Sequence, residues 1–182
     1  MVGVSMNDQE SRTLRAFTAL MWALSHPGRV QPLPGTGLDS FFVIGETLVD
    51  LETSYYTSFD ELDQRLARLG GRPRPPQEAM YQFYAELDDA DLLDLQEAPV
   101  GTYACPDESA TLVIGAEFGS GLNLGLSGPG IPGTAELSVS GIPDAFWPLR
   151  EKMICYPLGW DVFLVWGGQV VGLPRTTVVE IV

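Results

Sequence analysis

The sequence predicts an α/β fold with a mixed β-sheet. Three observations favour it: an amphipathic helical pattern opens the chain, β-branched runs close it, and helical and strand-like segments interleave between them. The 182 residues are the usual size of one domain, and 45% of them are apolar, as in globular proteins. We therefore expect a single domain spanning residues 1–182.

The first predicted element is a helix. Asn7 is a suitable N-cap, and Glu10 completes a capping-box pattern three residues later. Pro27-Gly28 ends the helix and leaves His26 in the terminating turn. Large apolar residues recur at helical spacing, and we expect them to form one stripe of the core: Leu14, Phe17, Leu20, Met21 and Leu24.

The next segments contain one clear strand and one ambiguous element. A Pro/Gly-rich loop covers residues 29–38. The stretch from Ser40 to Leu48 fits a short helix capped by Ser40, and its residues 41–44 fit a strand equally well. Residues 54–57 have strand composition.

Two helices are predicted in the middle of the chain. The first is opened by a capping-box sequence over residues 58–61 and ends at Gly70-Gly71. The second covers residues 88–97. Between them, residues 77–87 fit a helix or a strand.

The C-terminal part is the richest in strands. Residues 111–116 and 121–126 are predicted strands, and a tight turn follows over residues 127–131. A helix over residues 144–153 is predicted after Pro143, which is favoured near a helix start. The remaining runs predict a β-hairpin around Gly167-Gly168 and a last β-branched segment: residues 162–166, 169–173 and 176–182.

The charge excludes several functional classes. The chain has 24 acidic and 10 basic residues, a net charge of −14, which disfavours nucleic-acid binding. With one histidine, His26, it offers no multi-histidine metal site, and any catalytic triad would need that residue. A Schiff-base enzyme would need Lys152, the single lysine. No apolar run is long enough to span a membrane, and no secretory signal is visible.

The remaining composition indicates a cytoplasmic protein. Cys105 and Cys155 are interpreted as free thiols, with a disulfide between them left open. Residues 1–110 carry a net charge of −11 and residues 111–182 one of −3. Seven acids and no base lie between Glu78 and Glu97, either as a solvated face or as a docking surface for a basic partner.

The candidate binding or subunit-contact residues lie in the C-terminal part. Gly128 and Gly130 belong to a glycine-rich turn, which is either structural or phosphate-cradling; Pro129 removes one backbone donor from it. Arg175 either pairs with Asp161 or grips a phosphate. The full candidate set is Gly128, Gly130, Asp161, Arg175, Thr176 and Thr177. No catalytic or metal-binding residue is assigned.

Several motifs resemble one known family in order along residues 17–182. They are Tyr156-Pro157-Leu158-Gly159-Trp160-Asp161-Val162, Gly172-Leu173-Pro174-Arg175-Thr176-Thr177, the turn Leu126-Ser127-Gly128-Pro129-Gly130-Ile131, and the N-terminal helix that ends in Ser25-His26-Pro27-Gly28. Together they resemble the PhnH family, a subunit of the bacterial carbon–phosphorus (C-P) lyase system for phosphonate utilisation. Thr18, Tyr156 and Trp160 depart from the residues usual in that family.

The resemblance implies a fold and a setting. The implied fold is a three-layer αβα arrangement like the large domain of pyridoxal-phosphate (PLP)-dependent transferases, without the cofactor site and with no cofactor of its own. The implied setting is a cytoplasmic homodimer that joins other C-P lyase subunits: a nucleosidase-like subunit, a small accessory subunit, a radical lyase subunit and ABC-type ATPase subunits.

The implied role is that of a required, non-catalytic subunit. Its complex resembles the synthase that uses ATP and an alkylphosphonate to make α-D-ribose 1-methylphosphonate 5-triphosphate. Two alternatives remain. One is a PLP enzyme that uses Lys152. The other is direct nucleotide or phosphonate binding by the basic residues of the C-terminal part, Arg150, Lys152 and Arg175.

Overall fold

A computed structural model describes residues 8–182, so the predicted Asn7 cap lies outside the described residues. Helices and strands interleave along this part of the chain, which confirms the α/β class. The helices are α1 (Asp8–Ser25), α2 (Leu38–Leu48), α3 (Asp60–Ala67), α4 (Asp89–Leu95) and α5 (Phe146–Met153). The strands are β1 (Gln31–Pro32), β2 (Ser54–Thr57), β3 (Arg72–Pro73), β4 (Tyr81–Tyr84), β5 (Thr111–Gly115), β6 (Glu117–Ser127), β7 (Ala135–Ser140), β8 (Asp161–Trp166), β9 (Gln169–Leu173) and β10 (Val178–Ile181).

The main sheet is mixed, as predicted. Its seven strands have the order β1-β9-β8-β5-β4-β2-β3. All neighbouring pairs in the order from β3 to β8 are parallel. At the other edge, β9 pairs antiparallel with β8, and β1 pairs antiparallel with β9. The predicted hairpin is β8–β9, in which Val162 lies opposite Leu173.

A second, antiparallel sheet has the order β10-β6-β7. The sequence did not predict β7, and it did not predict a second sheet. The last β-branched run therefore does not extend the hairpin. It pairs with β6 instead, so that Val178 lies opposite Ser127 and the glycine-rich turn comes next to the C-terminal segment.

Side chains alternate across the main sheet and define two cores. On one face, Val113 and Phe163 pack with α1, α2 and α3. On the other face, Leu112 and Leu164 pack with α4, α5 and the small sheet. Three layers result, but the outer layer on the second face combines helices with β-strands.

The buried face of α1 differs from the predicted stripe. Ala16, Ala19, Leu20 and Ala23 are buried, whereas Leu14, Phe17 and Met21 are 53%, 52% and 49% exposed. The reason is a close approach to β9, where a Cβ on Gly172 would lie 2.5 Å from the backbone of Ala23. The small Ala23 fits between the two backbones. Leu14, Phe17 and Met21 are turned outward, whereas Leu20 of the predicted stripe is buried.

Two predicted helix caps are wrong. Helix α2 begins at Leu38, two residues before Ser40, so Ser40 lies inside the helix and is buried without a hydrogen-bond partner for its Oγ. Helix α3 begins at Asp60 with Phe59 at the N-cap position and no side-chain cap, so Ser58 does not cap it. In both cases the segment before the helix is largely exposed, and the local sequence does not determine at which residue the helix begins.

The remaining ambiguities are resolved by pairing. Residues 41–44 are helical, and the strand within residues 77–87 is β4, which is inserted between β2 and β5. Helix α4 has an unpredicted capping box made by Asp88 and Asp91. Helix α5 begins at Phe146, later than the predicted residue 144, because Pro143 accepts the Phe146 N–H in a preceding turn.

None of the helices in residues 8–182 has the length and apolar character needed to cross a bilayer. Both cysteines are free thiols, Cys105 half-buried and Cys155 exposed. No disulfide joins them.

Candidate functional site

Asp161 and Arg175 meet where the β8–β9 hairpin begins and ends. Asp161 is the first residue of β8, and Arg175 lies two residues beyond the end of β9, so hairpin pairing brings them together. Arg175 Nη2 donates to Asp161 Oδ2 at 2.7 Å and Nε donates to Oδ1 at 3.3 Å, while the Arg175 backbone N–H reaches Oδ1 at 2.8 Å. The predicted ion pair is confirmed, in the two-point geometry that suits a guanidinium.

Arg175 also joins two distant loops to this pair. Its Nη1 donates to the carbonyls of Pro106 at 2.7 Å and Pro157 at 3.2 Å, and Nη2 donates to Ser109 Oγ at 2.6 Å. A guanidinium has five N–H groups, and these contacts occupy all five. Gripping a phosphate with Arg175 would therefore require breaking the network.

Arg150 is a second arginine of this region, and it is only 2% exposed. It points from α5 to the segment that follows β9, where it donates to the carbonyls of Thr177 at 3.2 Å, Pro174 at 2.9 Å and Leu173 at 3.4 Å. Burial lowers the pKa of Arg150 to about 10, and the charge of Asp161 acts in the opposite direction. The sequence indicated Arg150 only as a basic residue; its position one turn after the buried Phe146 was the available sign of burial.

The glycine-rich turn is wedged between the end of α1 and the segment that follows β9. A Cβ on Gly128 would lie 2.7 Å from the Thr176 carbonyl oxygen. A Cβ on Gly130 would lie 2.4 Å from the Ser25 carbonyl oxygen, and Gly130 has a φ of +83°, which disfavours other residues. Packing therefore accounts for both glycines.

The predicted site residues and Arg150 thus form one connected region, the C-terminal cluster: Gly128, Gly130, Arg150, Asp161, Arg175, Thr176 and Thr177. Thr176 is half-buried, and Thr177 is 2% exposed. A tight turn holds the segment, since Thr177 N–H donates to the Pro174 carbonyl at 2.9 Å. Contacts from sequence-distant loops, at Pro106, Ser109 and Pro157, were not predicted.

The single histidine and the single lysine lie on the surface. His26 is half-buried and stacks on Trp22 with ring centroids 4.7 Å apart. Lys152 is exposed near the end of α5. Within residues 8–182, no group of three or more His, Cys, Asp or Glu side chains is arranged to hold a metal ion.

The acidic stretch from Glu78 to Glu97 covers β4 and α4. Part of its charge has a local role, because Asp88 accepts N–H bonds from Ala90 and Asp91 at the start of α4. Burial raises the pKa of the Asp91 carboxyl, partly offset by the backbone N–H of Asp88 that donates to it. These contacts favour a solvated, self-capped helix for this segment.

Comparisons with known proteins give matches that cover almost the whole chain. A family model described as "Bacterial phosphonate metabolism protein (PhnH)" matches residues 5–180. A protein of Stutzerimonas stutzeri named as a C-P lyase subunit protein, HtxG, is 37% identical over 173 residues, which cover 93% of this chain and 86% of that protein.

Proposed function

This chain belongs to the PhnH family of bacterial phosphonate metabolism proteins, and on that premise we propose that it is a subunit of a C-P lyase system. The observation that carries the proposal is the extent of the match, which runs from residue 5 to residue 180 and includes every part of the C-terminal cluster. The relative with 37% identity is itself named as a C-P lyase subunit.

The specific role that we propose is non-catalytic and cytoplasmic. The chain would be a required part of the complex that converts ATP and methylphosphonate to α-D-ribose 1-methylphosphonate 5-triphosphate, while a nucleosidase-like sister subunit does the chemistry. The positions of His26, half-buried against the exposed Trp22, and of the exposed Lys152 support this role, because neither lies among buried groups that would tune it for catalysis.

Co-purification tests this role. The tagged full-length chain, co-expressed with the nucleosidase-like and small accessory subunits, is expected to elute with them in one complex that releases adenine from ATP when methylphosphonate is present. The chain alone is expected to release none. Adenine release by the chain alone would overturn the non-catalytic role, and failure to co-elute would overturn the subunit role.

We also propose that the chain forms a homodimer through the outward face of α1. Leu14, Phe17, Met21 and Trp22 are each about half exposed on this face, and Arg15 is the only charged residue between positions 14 and 22. Two copies that each carry a charge of −14 repel one another, so a second copy approaches best on an apolar surface with few acidic groups; on this face Glu10 and Glu46 lie only at the edge beside Leu14 and Phe17.

Phe17→Glu tests this surface, with Leu93→Glu as the matched control. Leu93 is 67% exposed on α4, so the control also places a glutamate at an exposed apolar helix position. Light scattering is expected to give a dimer mass for the wild type and the control, and a monomer mass for Phe17→Glu. A wild-type monomer refutes the dimer, whereas a dimeric Phe17→Glu variant refutes the surface.

The likeness to the large domain of PLP-dependent transferases, without the cofactor site, is a further part of the proposal. The three layers around a mixed sheet support it. Addition of PLP is expected to give no aldimine absorbance. An aldimine band that disappears in Lys152→Ala would contradict this expectation.

A further inference from the structure

A cavity of about 440 Å³ lies between α5 and β10, at the edge of the C-terminal cluster. Trp147, Arg150 and Ile154 of the α5 region line one side, and Thr177, Val179 and Ile181 line the other. The lining also includes Arg175, Val178 and two exposed carboxylates, Glu151 and Glu180. The cavity is large enough for a small ligand.

Three buried polar atoms of this lining have no hydrogen-bond partner among the described residues. They are Trp147 Nε1, Arg150 Nε and Thr177 Oγ1. Buried polar atoms in folded proteins are almost always bonded, because an unmade bond leaves the full desolvation cost uncompensated. Trp147 and Arg150 are one turn apart on α5, and Arg150 reaches the Thr177 carbonyl at 3.2 Å, so the three side chains are neighbours.

Among the described residues, no carboxylate is hydrogen-bonded to Arg150, although Glu151 and Glu180 line the same cavity. Asp161 neutralises Arg175, with which it is paired at 2.7 Å. Arg150 contacts only backbone carbonyls through its Nη atoms, so two guanidinium groups share a single carboxylate. A buried cation is normally compensated by an anion within hydrogen-bond reach.

We propose that this cavity binds a small oxyanion of the phosphate or phosphonate class. Arg150 supplies the charge and its free Nε–H, while Trp147 Nε1 and Thr177 Oγ1 supply two neutral donors. The oxygens of the ligand accept hydrogen bonds from all three groups and so give each of these unbonded atoms a partner. This site goes beyond the proposed subunit role and does not depend on it, because assembly with partners requires no ligand in the cavity.

Access to the site depends on β10. The three donor atoms are shielded from solvent, so the ligand must displace one wall of the cavity. Strand β10 is the edge strand of the small sheet and pairs only with β6, which makes it the wall that moves most easily. Glu151 and Glu180 oppose an anion at the entrance and keep its affinity modest.

Calorimetric titration of the full-length chain tests the site, with inorganic phosphate, methylphosphonate and MgATP as separate probes. We expect saturable binding of phosphate, methylphosphonate or both, and the stronger of the two identifies the source of the oxyanion. Deuterium exchange of residues 177–182 is expected to slow when that probe is bound. Absence of saturable binding by both small probes, or binding of MgATP alone, would falsify the inference.

Variants separate the cavity from general charge effects. Thr177→Val removes one donor while keeping the shape of the side chain, and Trp147→Phe removes the indole N–H with a smaller aromatic ring in its place. Each is expected to weaken binding about tenfold. Glu180→Gln removes an opposing charge and is expected to tighten binding about threefold.

Lys152→Ala is the matched control, since it removes an exposed cation from the same helix without changing the cavity lining. It is expected to leave binding unchanged. Equal affinities in the wild type, Thr177→Val and Trp147→Phe, or a loss confined to Lys152→Ala, would place the ligand elsewhere and overturn the proposal. These variants retain Arg150, so the test does not depend on a protein that has lost its buried guanidinium.

Discussion

Arg175→Met should destabilise the protein by about 3 kcal/mol, because one guanidinium holds three separate segments together. The substitution removes five donated bonds: two to Asp161 and one each to Pro106, Pro157 and Ser109. It leaves the Asp161 carboxylate without its cation at a position where that side chain is only 23% exposed.

The magnitude follows from the burial of the pair. Breaking a fully buried pair costs about 3–5 kcal/mol, whereas an exposed pair contributes about 0–1 kcal/mol. The Arg175 and Asp161 side chains are 15% and 23% exposed, which is much closer to the buried limit. Asp161 keeps the bond from the Arg175 backbone N–H, so the lower end of the buried range applies.

Urea denaturation followed by circular dichroism measures this cost, and Arg74→Met is the matched control. Arg74 and Glu78 form an i, i+4 pair at 3.7 Å with side chains 49% and 65% exposed, so the control should cost below about 0.5 kcal/mol. Arg175→Lys should fall between the two, because an ammonium keeps the charge but has only three donors on a narrower head. Equal costs for Arg175→Met and Arg74→Met would show that the network contributes no more than a surface ion pair, and the reasoning would fail.

Three further predictions concern packing, titration and thiols. Gly130→Ala should lower the free energy of unfolding by more than about 1 kcal/mol in urea denaturation, since its Cβ would meet Ser25 at 2.4 Å, and an unchanged midpoint would contradict the packing argument. Burial, helped by the bond to Asp63, raises the pKa of Tyr55, so its stability contribution is complete below the unfolded pKa of about 10 and is lost as pH rises above it. Stability should therefore fall less steeply above that pH in Tyr55→Phe, by up to about 1.4 kcal/mol per pH unit, and parallel slopes would refute this. Thiol titration should find two reactive groups, with the exposed Cys155 faster than Cys105, and equal rates would be inconsistent with their burial.

The elements that the sequence predicted well are those with local signals. The run over residues 111–116 is apolar after Thr111 because the centre of β5 is buried on both faces. The Gly167-Gly168 turn is sufficient to define the β8–β9 hairpin. Strand β7 has a weaker pattern, AELSVS, and it exists because β6 pairs with it over most of its length. Pairing of this kind depends on tertiary structure and leaves little trace in composition.

The same distinction explains α1. Hydrophobic periodicity located the helix, but it assigned the buried face to the large apolar residues. The structure buries Ala16, Ala19 and Ala23 together with Leu20 of that stripe, and Gly172 of β9 closely approaches Ala23. Interhelix or helix–sheet distance is a property of the assembled fold, and a small residue at a close approach is indistinguishable in sequence from a small residue on the surface.

At the C-terminal cluster, the Asp161–Arg175 pair was predictable because a hairpin fixes which residues lie beside one another at its open end. The contacts of Arg175 with Pro106 and Ser109 were not, since they span more than sixty residues and depend on how the loops fold back. The burial of Arg150 was also hidden, because a basic residue near a helix C-terminus is usually explained by the helix dipole.

Most family-motif residues of this cluster are explained by the fold alone, and Thr177 is the exception. The motif residues Gly128, Gly130, Gly172 and Arg175 are each explained by a close approach or by a complete set of hydrogen bonds. Their presence therefore identifies the fold and the family without indicating a ligand. Trp147, Arg150 and Thr177 have buried polar atoms that the fold leaves unbonded, and packing gives no reason for them. Because these three residues with unbonded polar atoms line one cavity, a ligand of this protein should be sought between α5 and β10 rather than at the glycine-rich turn.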